Sequence, residues 1–151
     1  MQEKVYVDTS ALIILNKIDA LGLLNKIYGN VFITNFINAE LSEILPSWII
    51  IEPAHNFEQS FLKNFNLGPG ESSIIMNALE YNGFLIIDDL KARKIVTTLS
   101  LRFTGSVGIL ITAKKLGFIY SVKYYLEKIQ TTNFRISDAL IFKALEIANE
   151  K

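Results

Sequence analysis

The sequence contains no cysteine and a single histidine. The first absence excludes disulfides, thiolate metal sites and cysteine nucleophiles, and it suits a reducing compartment. The second excludes a multi-histidine zinc centre within one chain. His55 lies in the loop-like stretch Glu52-Pro53-Ala54-His55-Asn56 and reads as a surface histidine. Charge of neither sign prevails: Lys and Arg number 15, as do Asp and Glu. Net charge therefore does not announce a nucleic-acid binder. No apolar run approaches the roughly 18 residues that span a bilayer. Met1-Gln2-Glu3-Lys4 leads straight into a strand pattern and does not read as a signal peptide. The expectation is a cytoplasmic protein that engages no membrane.

What is present points to a packed globular chain. Half of the 151 residues are hydrophobic and the mean hydropathy is +0.31. That length and composition predict one domain, 1–151, with a substantial core. The charges are unevenly spread. Residues 1–85 carry four lysines against nine acids, and residues 86–151 carry eleven basic residues against six acids. A locally basic face beside an acidic cleft, or an ordinary solvated surface, would each give this pattern.

Strand and helix patterns alternate along the chain. Val5-Tyr6-Val7 reads as a buried first strand that ends in Asp8-Thr9-Ser10, with Thr9 or Ser10 capping a helix from Ala11. Ile18, Leu21, Leu24 and Ile27 recur at helical spacing up to Gly29. Val31–Thr34 is a second strand. A helix from Asn35 to about Leu45 follows, with Pro46 marking its end. Trp48–Ile51, wholly apolar, predicts a strand buried on both faces. Further helices are expected around Phe57–Phe65, from Glu71 to about Asn82, from Leu90 to Leu99, from Ser106 to Leu116, over Val122–Ile129 and over Ser137–Asn149. Phe84–Ile87 and Arg102–Thr104 are the remaining strands. Such alternation predicts an α/β fold, a mainly parallel sheet with helices on both faces.

Acidic residues recur at the boundaries of these elements. In an open parallel sheet, ligands bind beyond the carboxyl ends of the strands. Asp8 and the pair Asp88-Asp89 stand at two such ends. Glu40 follows the second strand by less than two helical turns, and Glu71 opens a helix after Gly68-Pro69-Gly70. Each has an ordinary alternative as a cap, a solvated acid or a partner of the helix dipole. Together they would form a crowded crevice. Two carboxylates about 5 Å apart repel by about 3 kcal/mol at an effective dielectric near 20. Protonation or a cation must relieve that repulsion. Oxygen ligands without histidine or cysteine favour Mg²⁺ or Mn²⁺, and these ions support phosphodiester hydrolysis.

The motifs in this order resemble those of the PIN-domain family of metal-dependent ribonucleases, and within it the branch related to VapC-like toxins. Val7-Asp8-Thr9-Ser10-Ala11-Leu12-Ile13 is similar to the family's first acidic motif, Asn38-Ala39-Glu40-Leu41 to the second, and Leu85-Ile86-Ile87-Asp88-Asp89-Leu90-Lys91-Ala92-Arg93 to the fourth. Gly68-Pro69-Gly70-Glu71-Ser72 is similar to the third, with glutamate where many relatives carry aspartate. The proline common after the second strand is absent, and Asn35 stands there. Thr104-Gly105-Ser106-Val107-Gly108-Ile109-Leu110 and Phe134-Arg135-Ile136-Ser137-Asp138 match features of a PIN-like subfamily.

The resemblance implies a single-domain, three-layer α/β/α sandwich and a Mg²⁺- or Mn²⁺-dependent endoribonuclease. Asp8, Glu40, Glu71, Asp88 and Asp89 would be the catalytic and metal-holding acids. Thr9 and Ser10 would orient Asp8 or cap its helix, and Ser106 would cap another helix or offer backbone N–H groups to a phosphate. Arg93 would contact RNA phosphate or pair with Asp89 one turn away. Asp138 is expected in the first turn of the last helix, capped by Ser137. The implied partners are an RNA substrate, an antitoxin protein and a second copy of the chain. Apolar surface for the dimer is sought at Ile13-Ile14-Leu15 or at Tyr120, Tyr124 and Tyr125, residues that would equally serve a core.

The alternative reading is a non-catalytic PIN-like module that binds RNA or protein. A purely binding module has no physical reason to concentrate carboxylates against phosphate. A response-regulator receiver would carry its acidic pair after the first strand, and here the pair lies in the second half. A phosphatase with an aspartyl nucleophile would want an aspartate at position 10, which is serine.

Overall fold

The computed structural model describes residues 3–55 and 61–150. The order along the chain is β1 (Val5–Val7), α1 (Thr9–Lys17), α2 (Gly22–Tyr28), β2 (Val31–Thr34), α3 (Asn35–Glu40), β3 (Ile49–Glu52), a short 3-10 helix (Phe61–Asn64), α4 (Pro69–Tyr81), β4 (Phe84–Ile86), α5 (Leu90–Thr98), β5 (Arg102–Thr104), α6 (Ser106–Lys115), α7 (Val122–Gln130) and α8 (Asp138–Ile147). The expected helix at Phe57–Phe65 falls partly outside the described residues.

The five strands among the described residues are all parallel, in the order β3-β2-β1-β4-β5. Tyr6 lies opposite Phe32 on β2 and Leu85 on β4. Val5, Tyr6, Val7, Leu85 and Ile86 are buried, as central strands of a covered sheet require. Helix α4 packs across β1, β2 and β4, while α2 packs on β2 and on α6. The result is an α/β/α sandwich. The chain builds outward from β1 to β2 and β3, then crosses to β4 and β5 on the other side. The order therefore reverses between β1 and β4. That switch point opens a crevice at the carboxyl ends of the strands.

Four local expectations are corrected. The helix expected over Ile18–Tyr28 begins only at Gly22, because Asp19 adopts a left-handed conformation (φ 57°). Helix α3 stops at Glu40, where Leu41 turns extended (φ −95°, ψ 140°). Ser42, Glu43 and the fully exposed Ile44 bury no stripe that would hold a longer helix. Strand β3 is not buried on both faces: it is the sheet edge, and Ile51 is half exposed. Helix α4 begins two residues before Glu71, because Pro69 fits the first helical position, where its missing N–H costs nothing.

His55 is half buried and joins a polar cluster under α4. Glu52, at the end of β3, accepts from the Tyr6 hydroxyl (2.7 Å), the Lys4 ammonium (2.8 Å) and the Asn77 amide (2.9 Å). The Asn77 carbonyl oxygen accepts from the His55 backbone N–H at 2.8 Å. Burial, then the Glu52 carboxylate, pushes the Tyr6 hydroxyl pKa far up, so it stays a donor. This network satisfies a buried acid at the sheet edge, and Lys4 also lies 3.9 Å from the Tyr81 ring centroid.

Candidate active site

Asp8 follows the last residue of β1 and is 4% exposed. Its N–H donates to the Ile86 carbonyl at 3.0 Å, which ties it to β4 at the switch point. Asp8 is itself the N-cap of α1: its Oδ1 accepts from the Thr9 N–H at 2.8 Å. The capping role expected of Thr9 or Ser10 therefore belongs to Asp8. The Thr9 hydroxyl instead donates to Glu40 Oε2 in a short hydrogen bond. Ser10 is the second residue of α1 and half buried.

Glu40 is the last residue of α3. Its carboxylate packs against the Cα of Gly70, where an added Cβ would come within 2.5 Å of Oε1. Only glycine allows that approach, and it brings Glu40 beside Glu71. Glu71 stands at the third position of α4, and its Oε1 accepts from the Gly68 N–H at 3.4 Å. This is half of a capping box, since glycine offers no side chain in return. Beneath it, Thr34 and Ser73 share a 2.6 Å hydrogen bond, and the Ser73 hydroxyl donates to the Gly70 carbonyl at 2.7 Å. Both hydroxyls are fully buried. They pin the start of α4 to the end of β2. Their only signal in the sequence is a hydroxyl at a strand end and another in a helix's first turn.

Asp88 and Asp89 divide their roles. Asp89 is exposed and caps α5, accepting from the Ala92 N–H at 2.9 Å. Asp88 is half buried and reaches the start of α6. Its Oδ1 accepts from the Ser106 N–H at 2.8 Å and its Oδ2 from the Ser106 hydroxyl at 2.6 Å. Ser106 is thus neither the cap of α6, which is Gly105, nor open to a phosphate: it is fully buried and bound to Asp88. Arg93 does not pair with Asp89. Its Nε donates to the Ile87 carbonyl at 2.8 Å, and its guanidinium lies 3.7 Å from Asp88 Oδ1 and over the Phe103 ring. Asp138 occupies the first turn of α8 with Ser137 as cap, as expected.

Electrostatics tie these acids together. Burial, then the charges of Glu71, Glu40 and Asp88, pushes the Asp8 carboxyl up to about 7, against the lowering effect of the Thr9 N–H. Burial, then Asp89 and Glu40, also raises Glu71, against the Gly68 N–H and Lys91. Four carboxylates thus act on one another across the crevice, with Asp89 reached through Glu71.

A family model described as a PIN domain matches residues 4–150. The chain belongs to the PIN-domain family. Neither a curated protein nor a solved structure matches it. PIN domains are nuclease-type folds, generally hydrolases, and PIN nucleases typically use divalent metals. In this PIN domain the donor chemistry fits such an ion: the crevice offers carboxylate oxygens, with neither thiolate nor imidazole. Asp8, raised first by burial and then by its acidic neighbours, is a group whose charged form a cation would favour. Among the described residues, however, no three Asp, Glu or His side chains stand close enough together to hold a metal ion. Nor is any helix among them long and apolar enough to cross a membrane.

Proposed function

We propose that this PIN domain is a Mg²⁺- or Mn²⁺-dependent endoribonuclease that hydrolyses RNA phosphodiester bonds. The observation that carries the reading is Asp8, buried at the switch point among other acids and raised to about 7, first by that burial and then by the surrounding carboxylates. Such a group is costly in a structure that has no use for it. Asp8, Glu40, Glu71 and Asp88 are the acids that would close on the ion, with Asp89 at its outer edge, since no three of them stand at ligating spacing in this structure. A bound Mg²⁺ or Mn²⁺ would lower the pKa of a water and offset charge on the scissile phosphate. The chain's own part is preorganisation. Thr9 fixes Glu40, Ser106 fixes Asp88, and Gly70 lets Glu40 and Glu71 approach. Arg93, held by the Ile87 carbonyl, would meet a phosphate at the rim.

The VapC-like motifs favour a toxin or toxin-like component paired with an antitoxin, acting in the cytoplasm, and a homodimer. Exposed apolar surface supports partners of this kind. A groove of about 280 Å³ beside the crevice is lined by Leu12, Ile13, Leu41 and Ile44, with Glu40 at its edge. Tyr120 and Tyr124 are exposed, whereas Tyr125 packs partly against the core and Ile14 and Leu15 belong to it.

The separation of the acids favours a second reading, a PIN-like module that binds RNA or protein without cutting. One experiment decides between them. A labelled RNA pool is incubated with the purified chain in Mn²⁺, Mg²⁺ or EDTA, beside Asp8→Asn. Metal-dependent cutting that Asp8→Asn loses supports the nuclease. RNA left intact in every metal, with Mn²⁺ showing no heat of binding, supports the module.

A further inference from the structure

A second cavity opens on the other side of Asp88. It has a volume of about 580 Å³, within the range of small-ligand pockets. Its walls are built from three parts of the chain. The end of β5 and the start of α6 supply Phe103, Thr104 and Val107, the segment before α8 supplies Phe134 and Arg135, and α5 supplies Arg93. Gly108 lets the Thr104 side chain pack against α6, since a Cβ there would fall on the Thr104 hydroxyl.

The chemistry of this cavity differs from that of the crevice. Two arginines line it against one acid, Asp88. Arg93 is preorganised, with Nε on the Ile87 carbonyl and the guanidinium centre 5.3 Å from the Phe103 ring centroid. Arg135 is exposed. Phe103 and Phe134 are half buried and leave ring surface toward the cavity. Flat apolar walls beside cations suit a ligand that is planar at one end and anionic at the other. A small inorganic anion would have no use for the rings, and an apolar ligand none for the arginines.

We propose that this cavity receives one unpaired nucleotide of a single-stranded RNA, next to the phosphodiester held at the carboxylate crevice. The base lies against Phe134 and Phe103, and Arg135 contacts a backbone phosphate. The inference rests on the nuclease reading for its neighbour but not for its own chemistry. Asp88 is the wall shared by the two spaces, so a strand leaving the crevice enters the cavity at once. A base inside a duplex is stacked and paired on both sides and cannot present its face to Phe134. Single strands are therefore selected by shape. Stacking on an aromatic side chain contributes about 1–3 kcal/mol per base and tolerates any base, so sequence preference here is weak.

The test is fluorescence anisotropy with a 5′-labelled 12-nucleotide RNA, single-stranded or annealed to its complement, in Mg²⁺. The protein is the full chain carrying Asp8→Asn, and gels check that the RNA stays intact. Phe134→Ala and Arg135→Ala should each weaken single-strand binding by about tenfold. Arg135→Ala should also reduce the slope of log K against log salt by about 0.7, one phosphate contact, while Phe134→Ala leaves it unchanged. Phe134→Tyr should retain binding, which separates stacking from damage to the fold. Equal affinities in all these variants, equal affinity for the duplex, or no RNA binding would overturn the cavity's role. Cleavage by the otherwise unmodified chain is measured separately. Cutting that Phe134→Ala and Arg135→Ala leave untouched sinks the cavity and keeps the nuclease. Binding that depends on both residues, without cutting in any metal, keeps the cavity and sinks the nuclease.

Discussion

Asp88 and Ser106 are joined by two hydrogen bonds, one from the N–H (2.8 Å) and one from the hydroxyl (2.6 Å), so both oxygens of the carboxylate are oriented from one residue. The N–H belongs to the first turn of α6, which favours negative charge. Asp88 is thereby fixed between the crevice and the neighbouring cavity.

Ser106→Ala removes the second bond and leaves Oδ2 half satisfied. Hydrogen bonds to charged groups contribute about 1.5–3 kcal/mol. Thermal denaturation should show a loss of about that size, and RNA cleavage should fall with it. Asp88→Asn keeps an oxygen for the Ser106 N–H and an amide for its hydroxyl, so it should unfold near the original temperature yet cut poorly. Cleavage at full rate in Asp88→Asn would remove Asp88 from the catalytic set.

Gly105 should tolerate no side chain. A Cβ there would stand 2.5 Å from Asp88 Oδ1 and collide with the Arg93 guanidinium. Its φ of −120° is open to any residue, so the cost of Gly105→Ala is steric. Overpacking of this kind costs about 1–3 kcal/mol. Gly22→Ala is the control, since nothing lies within 4 Å of its Cβ position, and it should be neutral or slightly stabilising. Equal melting temperatures for the two variants would contradict the packing around Arg93.

Asp8 sets a pH dependence of stability. Its ordinary value is 3.8 and its folded value about 7. Between these the folded chain holds one proton more than the unfolded chain, so stability falls as pH rises through that window. Glu71, also raised, acts in the same direction. In EDTA the melting temperature should decline from pH 5 to pH 8, and Asp8→Asn should recover about 1–4 kcal/mol at pH 8. Mn²⁺ should stabilise the unmodified chain more at pH 8 than at pH 5.5, because binding displaces the proton. A melting temperature that rises toward pH 8 in EDTA, alike in both chains, would refute the crowding of the acids.

The strands were legible because central parallel strands are short apolar runs ending in a change of composition, as at Val7-Asp8 and Ile87-Asp88. The acids were legible because they recur at those ends. Distance between them was not, because it depends on the close approach of α3 to α4 at Gly70. The end of α3 is hidden because Leu41 and Leu45 continue an apolar spacing, yet they reach the core from a non-helical backbone with Ile44 fully exposed between them. The partners of Ser106 and Arg93 were hidden for a different reason. A serine after a glycine predicts a cap from local chemistry, but the Asp88 that captures it comes from another strand, eighteen residues earlier.

Glu150 was also invisible in the sequence, where it is one acid among several near the chain's last helix. In the fold it closes α6, α7 and α8 together. It accepts from the Lys114 ammonium on α6 (2.8 Å), the Val122 N–H (2.7 Å), the Lys123 N–H (3.1 Å) and the Ser121 hydroxyl (3.1 Å) at the start of α7. Burial alone would raise its pKa, but Lys114 and the three α7 donors outweigh that and hold it at about 2, against an ordinary 4.5. A depressed acid contributes stability that is present above pH 4.5 and lost as pH falls toward 2. Glu150→Gln weakens several charged hydrogen bonds at once and should cost about 2–4 kcal/mol at pH 7. The difference between the two chains should shrink when urea unfolding is repeated at pH 3, because the unfolded chain is then protonated at Glu150 while the folded chain still holds the carboxylate, which favours unfolding. A difference that stays constant from pH 7 to pH 3 would mean that packing of the side chain, and not its charge, holds α7 to α8. Asp88 meets α6 at its first residue, Ser106, whereas Glu150 meets it in the last turn at Lys114, so Glu150→Gln should leave the rate of cleavage unchanged wherever the chain remains folded.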